Sequence, residues 1–260
     1  MTKETLSIIK IGGNIIEDER SLVAFLNLFS KIDGKKILVH GGGKRATHIA
    51  TKLGIAAKMI EGRRITNQET LEVITMVYAG LINKNIVAKL QANNIDAIGL
   101  TGADINSIQS EKRAVKEIDF GFVGDVKKVN HQAINKLMEA DFTPVFCAIT
   151  HDKNGQLLNT NADTIASQMA IGMSNLYTTS LYYCFELEGV LKDFKDPKSL
   201  LKKINSETYK QLLKDKIISD GMLPKLENCF DALKNGVQQV HIGSTTMLTK
   251  ENDNYTTISL

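Results

Sequence analysis

Several short stretches carry residue types that can do chemistry, and they share a preference for anions. Lys10-Ile11-Gly12-Gly13 sets a lysine just before a glycine pair. His40-Gly41-Gly42-Gly43-Lys44 follows the apolar run Ile37-Leu38-Val39 and opens a helix-like pattern. A strand, a glycine turn and a helix start bring unpaired backbone N–H groups to a helix N-terminus, where the dipole also favours negative charge. Arg63 and Arg64 stand between short apolar runs, and arginine grips carboxylate or phosphate with a planar fork. Asn159, Asn161 and Asp163 crowd ahead of an apolar helix; one N-cap accounts for one of them, not for three. Lys225 falls in the first turn of a helix opened by Pro224, where a cation is disfavoured without an anionic partner.

Each signal also has a plain reading. Glycines after a strand serve tight turns. Lys10 suits a solvated strand end, and paired arginines in a loop suit a surface. The spacing Gly41-x-Gly43-x-x-Ala46, with Glu61 about 20 residues on, also matches a dinucleotide-binding fingerprint. A Walker A loop does not fit, because Arg45 follows Lys44 and Leu38 stands where the first glycine belongs.

The elements that must position these residues alternate. Strands are predicted over 6–11, 36–40, 95–100, 143–149, 176–185 and 237–242, from apolar, β-branched runs bounded by glycine and polar turns. Helices are predicted over 19–31, from Gly43 to about Leu53, over 68–91, 131–140, 164–173 and 206–214, and from Pro224 to Lys234, from 3.6-residue spacing. Strand–helix–strand order gives βαβ units and a parallel sheet, whose ligands bind beyond the carboxyl ends of the strands. Residues 108–129 alternate weakly around Gly121 and Gly124 and predict a hairpin excursion of lid or flap type. Asp152-Lys153-Asn154-Gly155 predicts a hairpin turn. The 68–91 helix is apolar over a wide face, and Gly80 allows close packing, either in the core or between two subunits. The polar tail after Lys250 is expected to fray.

Composition narrows the classes. Apolar residues at 43% and charged residues at 23% describe a globular chain and exclude general disorder. A net charge of +3 without any block of like charge argues against nucleic acid. No apolar run approaches membrane-spanning length, and Lys3 and Glu4 ahead of the first strand do not make a signal peptide. Cys147, Cys184 and Cys229 form no CxxC and no metal-like spacing. They read as reduced, buried thiols of a cytoplasmic protein.

Taken in order, Lys10-x-Gly12-Gly13, His40-Gly41-Gly42-Gly43, Gly62-x-Arg64-x-Thr66, Asn159-x-Asn161-Ala162-Asp163 and Asp220-Gly221-Met222-x-x-Lys225 cover nearly the whole chain. The chain resembles the amino acid kinase family in this set, and within it the branch acting on N-acylated glutamate. The dinucleotide reading explains only one of the five motifs.

The resemblance implies a single α/β domain, a three-layer αβα sandwich around a mainly parallel sheet. An N-terminal lobe over about 1–175 would hold the acyl-glutamate, and a C-terminal lobe over about 176–260 would hold ATP. The implied reaction is phosphorylation of the γ-carboxylate of N-acetyl-L-glutamate by ATP, in arginine biosynthesis. N-Succinyl-L-glutamate is the alternative acceptor, with Arg63 answering the added carboxylate. A non-catalytic ligand-binding regulator is the alternative of another class. The nucleophile, a carboxylate with a reference pKa of about 4.3, is already ionised at neutral pH and needs no general base. The work is positioning and cancelling charge. By resemblance Lys10 and Lys225 flank the transferred group, Asp163 holds the two lysines, and Gly12 and Gly13 complete the phosphate cradle. Arg64 binds the α-carboxylate of the acceptor, Asn159 its polar groups with Asn161 close by, and Gly42 and Gly43 let it approach. Mg2+ is expected to arrive with ATP. Glu186-Leu187-Glu188-Gly189 replaces the family's Asp-Val-x-Gly stretch on the nucleotide side. Lys10 lies too near the start for the extra N-terminal helix of arginine-inhibited members, so a homodimer that arginine does not inhibit is expected.

Overall fold

A computed structural model describes residues 3–60, 63–193, 195–215, 217, 222–249 and 251–260. Gly62, Asp220 and Gly221, part of the motifs above, lie outside the described residues.

The chain begins with β1 (Thr5–Ile11), the short α1 (Gly13–Glu17) and α2 (Glu19–Ser30), which Asp18 caps by accepting from the Ser21 N–H. β2 (Lys35–His40) and α3 (Gly43–Lys52) follow. The small hairpin of β3 (Met59–Ile60) and β4 (Arg63–Arg64) leads to α4 (Gln68–Thr75), capped by Asn67. A π-helical stretch, Met76–Ile82, joins α4 to α5 (Asn83–Ala92) without a break. Then come β5 (Ala97–Leu100), β6 (Ile108–Lys112), β7 (Gly124–Val129) and α6 (His131–Glu139). β8 (Thr143–Cys147), β9 (Ile149–His151), β10 (Leu157–Asn159) and α7 (Ala162–Met173) complete the first half. The second half holds β11 (Thr178–Cys184), β12 (Lys203–Ile204), α8 (Ser206–Lys214), α9 (Leu223–Lys234), β13 (Gln239–Gly243) and β14 (Thr256–Ile258).

Eight strands form one sheet in the order β12-β14-β13-β11-β1-β2-β8-β5, parallel throughout except between β13 and β14. Its central strands are buried on both faces, with Ile8, Ile9, Ile37, Leu38 and Val39 at 0% exposure, as parallel sheets require. α7 packs on β1, β2 and β11, with α6 and α9 beside it; α5 packs on β5 and β8, with α2 alongside. The mainly parallel αβα arrangement is therefore the one expected.

The 108–129 excursion is an antiparallel β6–β7 hairpin, extended by β9 and β10 into a four-stranded sheet. The expected single strand over 143–149 is divided: β8 stays in the large sheet, and after Ala148 the chain enters the small one as β9. The tail does not fray. β14 inserts between β13 and β12, and buried Thr256 accepts from the Val190 N–H and donates to the Leu201 carbonyl. The helical run Gln68–Ala92 spans 25 residues, matching the expected 68–91 helix, and by length and composition alone it would suit a bilayer. Its apolar face is packed instead on α2, α3, β5 and β8.

Candidate active site

The site forms where β1, β2 and β11 end. β1 lies mid-sheet, with the first half of the chain built outward through β2 and the second through β11. Ligands of open α/β sheets bind at such a divide. Register aligns Lys10 with Val39 and Tyr183, and Ile11 with His40 and Cys184. Gly12 then bonds its N–H to the Cys184 carbonyl at 2.9 Å, and Gly13 opens α1 toward open space.

Lys10 Nζ stands 2.7 Å from Asp163 Oδ1, and Lys225 Nζ stands 3.5 Å from Asp163 Oδ2. Three residues far apart in sequence thus meet, their side chains only 13%, 14% and 19% exposed for Lys10, Lys225 and Asp163. Asp163 sits in the first turn of α7, where the helix dipole favours an anion. Burial alone would raise its carboxyl, but the two ammonium groups hold it down to about 2. Two cations share one carboxylate, so the largely buried cluster carries an excess positive charge that an incoming anion would balance.

On the neighbouring strand, His40 is fully buried and burial pushes its imidazole down to about 4. Its Nδ1 faces the Gly41 carbonyl at 2.8 Å, and its Nε2 faces Asn83 Nδ2 at 3.0 Å. An amide nitrogen only donates, so Nε2 accepts and Nδ1 carries the proton. This neutral ring pins the glycine turn. Gly42 adopts φ +151°, and a Cβ there would meet Ile82 Cδ1 at 2.2 Å and Tyr78 at 3.1 Å. Only glycine fits. Lys44 reaches back to bond Asn14 of α1, tying the two glycine turns together.

Arg64 is buried to 8% exposure. Its Nη2 donates to the Gly43 carbonyl at 3.0 Å and to Thr47 Oγ1 at 2.7 Å, which fixes the plane of the guanidinium. Burial pushes the Tyr78 hydroxyl up, and the neighbouring Arg64 charge pulls it back. Asn159 Nδ2 donates to Thr66 Oγ1 at 3.0 Å, and the Thr66 N–H bonds the Phe120 carbonyl beyond the β6–β7 hairpin strands. A Cβ on Gly41 would lie 3.7 Å from Ala162 Cβ, so the glycine turn adjoins the start of α7 and the lysine cluster.

Not every expected residue converges. Asn161 is the N-cap of α7, its Oδ1 accepting from the N–H groups of Asp163 and Thr164. Its capping explains its presence, and its side-chain oxygen is committed there. Arg63 alternates to the opposite side of β4 from Arg64 and is exposed. It lines a cavity of about 450 Å3 with Arg113, Lys116 and Phe120, away from Gly43. The three cysteines are free and buried, and burial raises all three thiols, Cys147 and Cys184 to about 12, so they are unreactive. Sequence alone did not single out Thr47, Tyr78 or Asn83. Thr47 stands one helical turn after Gly43, a spacing that identifies it in retrospect. Tyr78 and Asn83 reach the turn only through the π-helical stretch, which no apolar periodicity announces.

Comparison with known proteins agrees with this geometry. The model of the amino acid kinase family matches residues 5–244. The acetylglutamate kinase of Cytophaga hutchinsonii is 54% identical over 240 residues, covering 92% of this chain and 91% of that one. The acetylglutamate kinase of Bacteroides thetaiotaomicron is 52% identical over 240 residues, covering 92% and 93%. Among solved structures, smu.665 of Streptococcus mutans superposes with a TM-score of 0.80 over 98% of each chain at 24% identity, a likeness of fold. From strand order to lysine cluster, and across nearly its whole length, the chain belongs to the amino acid kinase family.

Proposed function

We infer that this protein is an acetylglutamate kinase, which moves the terminal phosphoryl group of ATP onto the γ-carboxylate of N-acetyl-L-glutamate in arginine biosynthesis. The carboxylate oxygen forms the new O–P bond, the bond between the γ-phosphorus and the bridging oxygen breaks, and ADP leaves with the electron pair. Identity above 50% to acetylglutamate kinases over nine-tenths of the chain supports the substrate. The observation that carries the chemistry is the Lys10–Asp163–Lys225 cluster at the sheet divide.

In this reading Lys10 and Lys225 neutralise charge on the phosphoryl group as it passes between two anions. Asp163 holds them without touching the substrate. The N–H groups of Gly13 and Gly43 line the path, while the Gly12 N–H is spent on the Cys184 carbonyl and Gly12 contributes only its lack of a side chain beside Phe185. Arg64, its plane set by Gly43 and Thr47, offers its remaining donors to the α-carboxylate of the acceptor. Asn159 binds the acceptor's polar groups, and Asn161 sits nearby as the cap that aims Asp163. The N-terminal lobe, about 1–175, takes the acceptor and the C-terminal lobe, about 176–260, the nucleotide. Among the described residues no three His, Cys, Asp or Glu stand close enough to hold a metal; we assign Mg2+ to the ATP phosphates.

The protein acts as a cytoplasmic homodimer in this reading. Its support is the outer face of the long helix, where Met76 is 57% and Leu81 38% exposed beside the bare Gly80.

The test is ADP release with Mg-ATP and N-acetylglutamate against controls lacking acceptor. Acceptor-dependent turnover is expected, and Lys225→Ala should lower kcat by about 100-fold or more. Wild-type protein without acceptor-dependent release would end this reading.

A further inference from the structure

Lys225 needs more holding than its carboxylate gives it. Asp163 keeps Lys10 at 2.7 Å but Lys225 at only 3.5 Å. Lys225 is also the third residue of α9, where the helix dipole repels a cation. Two aromatic rings make up the difference. Its Nζ stands 5.4 Å from the ring centroid of Tyr183 and 5.4 Å from that of Phe185. Both distances are within the range in which a ring face attracts an ammonium.

These rings are themselves fixed. Tyr183 is the penultimate residue of β11 and Phe185 directly follows its final residue, Cys184, and both rings come within reach of the same ammonium. Tyr183 is fully buried, and its hydroxyl donates to the Asp163 backbone carbonyl at 3.0 Å. The ring that faces Lys225 is therefore anchored to the residue whose carboxylate pairs with Lys225. The Phe185 N–H bonds the Gly243 carbonyl at 2.9 Å, and a Cβ on Gly12 would lie 3.7 Å from Phe185 Cβ. Phe185 thus joins the glycine turn after β1 to the lysine.

We propose that Tyr183 and Phe185 are positioning residues that seat the Lys225 ammonium between their ring faces, ready for the transferred phosphoryl group. A second carboxylate in their place would hold the lysine more tightly but would cancel its charge. A ring quadrupole orients the ammonium and leaves its full charge and its N–H groups for the phosphate oxygens. This inference rests on the kinase reading above.

The experiment compares wild type, Phe185→Leu, Phe185→Met and Phe185→Tyr in ADP release with Mg-ATP and N-acetylglutamate. It also records the Lys225 ε-methylene NMR signal in 13C-lysine-labelled protein, assigned by its loss in Lys225→Arg. Phe185→Leu and Phe185→Met keep apolar bulk without a ring and should each lower kcat about tenfold, with the acceptor KM within about twofold. Phe185→Tyr keeps the ring face and should restore kcat. The Lys225 signal should be ring-current shifted in wild type and in Phe185→Tyr, and return toward the other lysines in Phe185→Leu. Unchanged kcat in the ringless variants, or equal loss in Phe185→Tyr, would overturn the proposal. If Phe185→Leu melts early, Phe185→Met and the wild-type NMR signal decide, and an unshifted wild-type signal also overturns it. Lack of acceptor-dependent turnover in wild type would instead remove the kinase reading, while the NMR shift still reports whether the rings seat the lysine.

Discussion

Asn83 Nδ2 lies 3.0 Å from His40 Nε2 and 3.0 Å from the Val145 carbonyl, so one amide clips β2 to β8 and keeps the imidazole neutral. That arrangement has a pH signature. Burial holds both His40 and His241 down to about 4, from an ordinary 6.5. The unfolded chain takes up these protons as pH falls through 6.5, while the folded chain resists until about 4. The stability they contribute is full above 6.5 and is lost between 6.5 and 4. Asp163, held at about 2 against an ordinary 3.8, adds a further loss below 3.8. Thermal melts at stepped pH should show the midpoint falling from 6.5 downward, with a shallower fall in His241→Gln. A level midpoint from 6.5 to 4 would contradict the buried neutral rings.

Asp163→Asn should fold and bind both substrates but turn over about 100-fold more slowly. The amide keeps the shape and gives up the charge that gathers Lys10 and Lys225. The expected pattern is a large drop in kcat with an acceptor KM changed by less than about threefold. Wild-type kcat in this variant would show that the lysines need no carboxylate between them.

Gly42→Ala combines a backbone conformation that side chains avoid with a Cβ 2.2 Å from Ile82 Cδ1. The expected loss of stability is about 1–3 kcal/mol, read by urea unfolding. Ile82→Ala in the same chain should recover the part due to crowding and leave the part due to φ. Complete recovery would mean that the turn tolerates an alanine backbone.

Thr47→Val removes one of the two acceptors that set the plane of Arg64 and leaves the arginine in place. A hydrogen bond to a charged group is worth about 1.5–3 kcal/mol, so the acceptor KM should rise about tenfold. The KM for ATP should stay put. If both constants rise together, Thr47 acts through general stability and not through Arg64.

Leu81→Glu places a charge on the exposed face of the long helix. Light scattering after gel filtration should report a dimer for the wild type and a monomer for the variant. A wild type of about 29 kDa would remove the dimer from the reading.

Much of the fold could be read because its central strands are buried on both faces and bounded by glycines, as at Leu6–Ile11 and Ile37–His40. The lysine cluster could be read by motif order but not by spacing, because Lys10, Asp163 and Lys225 meet only through the β1–β11 register and the packing of α7 on α9. β14 escaped notice because Thr256 and Thr257 look polar. Thr256 is buried through hydrogen bonds to Val190 and Leu201, a pairing no local pattern reveals. Asn161 illustrates the reverse. Its place in a polar cluster favoured a substrate contact over a plain cap, and its Oδ1 does cap α7 through the N–H groups of Asp163 and Thr164.

The pairing of β1 with β11 also dictates an order of events at the ribosome. Lys10 cannot meet Tyr183 until roughly 170 more residues have been made, about nine to thirty-five seconds at ordinary translation speed. β2 covers one edge of β1 early, since only α1 and α2 separate them. The other edge, bearing Ile8, Ile9 and Ile11, waits as an open template for any passing strand. Chains stalled before Thr178 therefore hold β1 without the strand that closes its second edge.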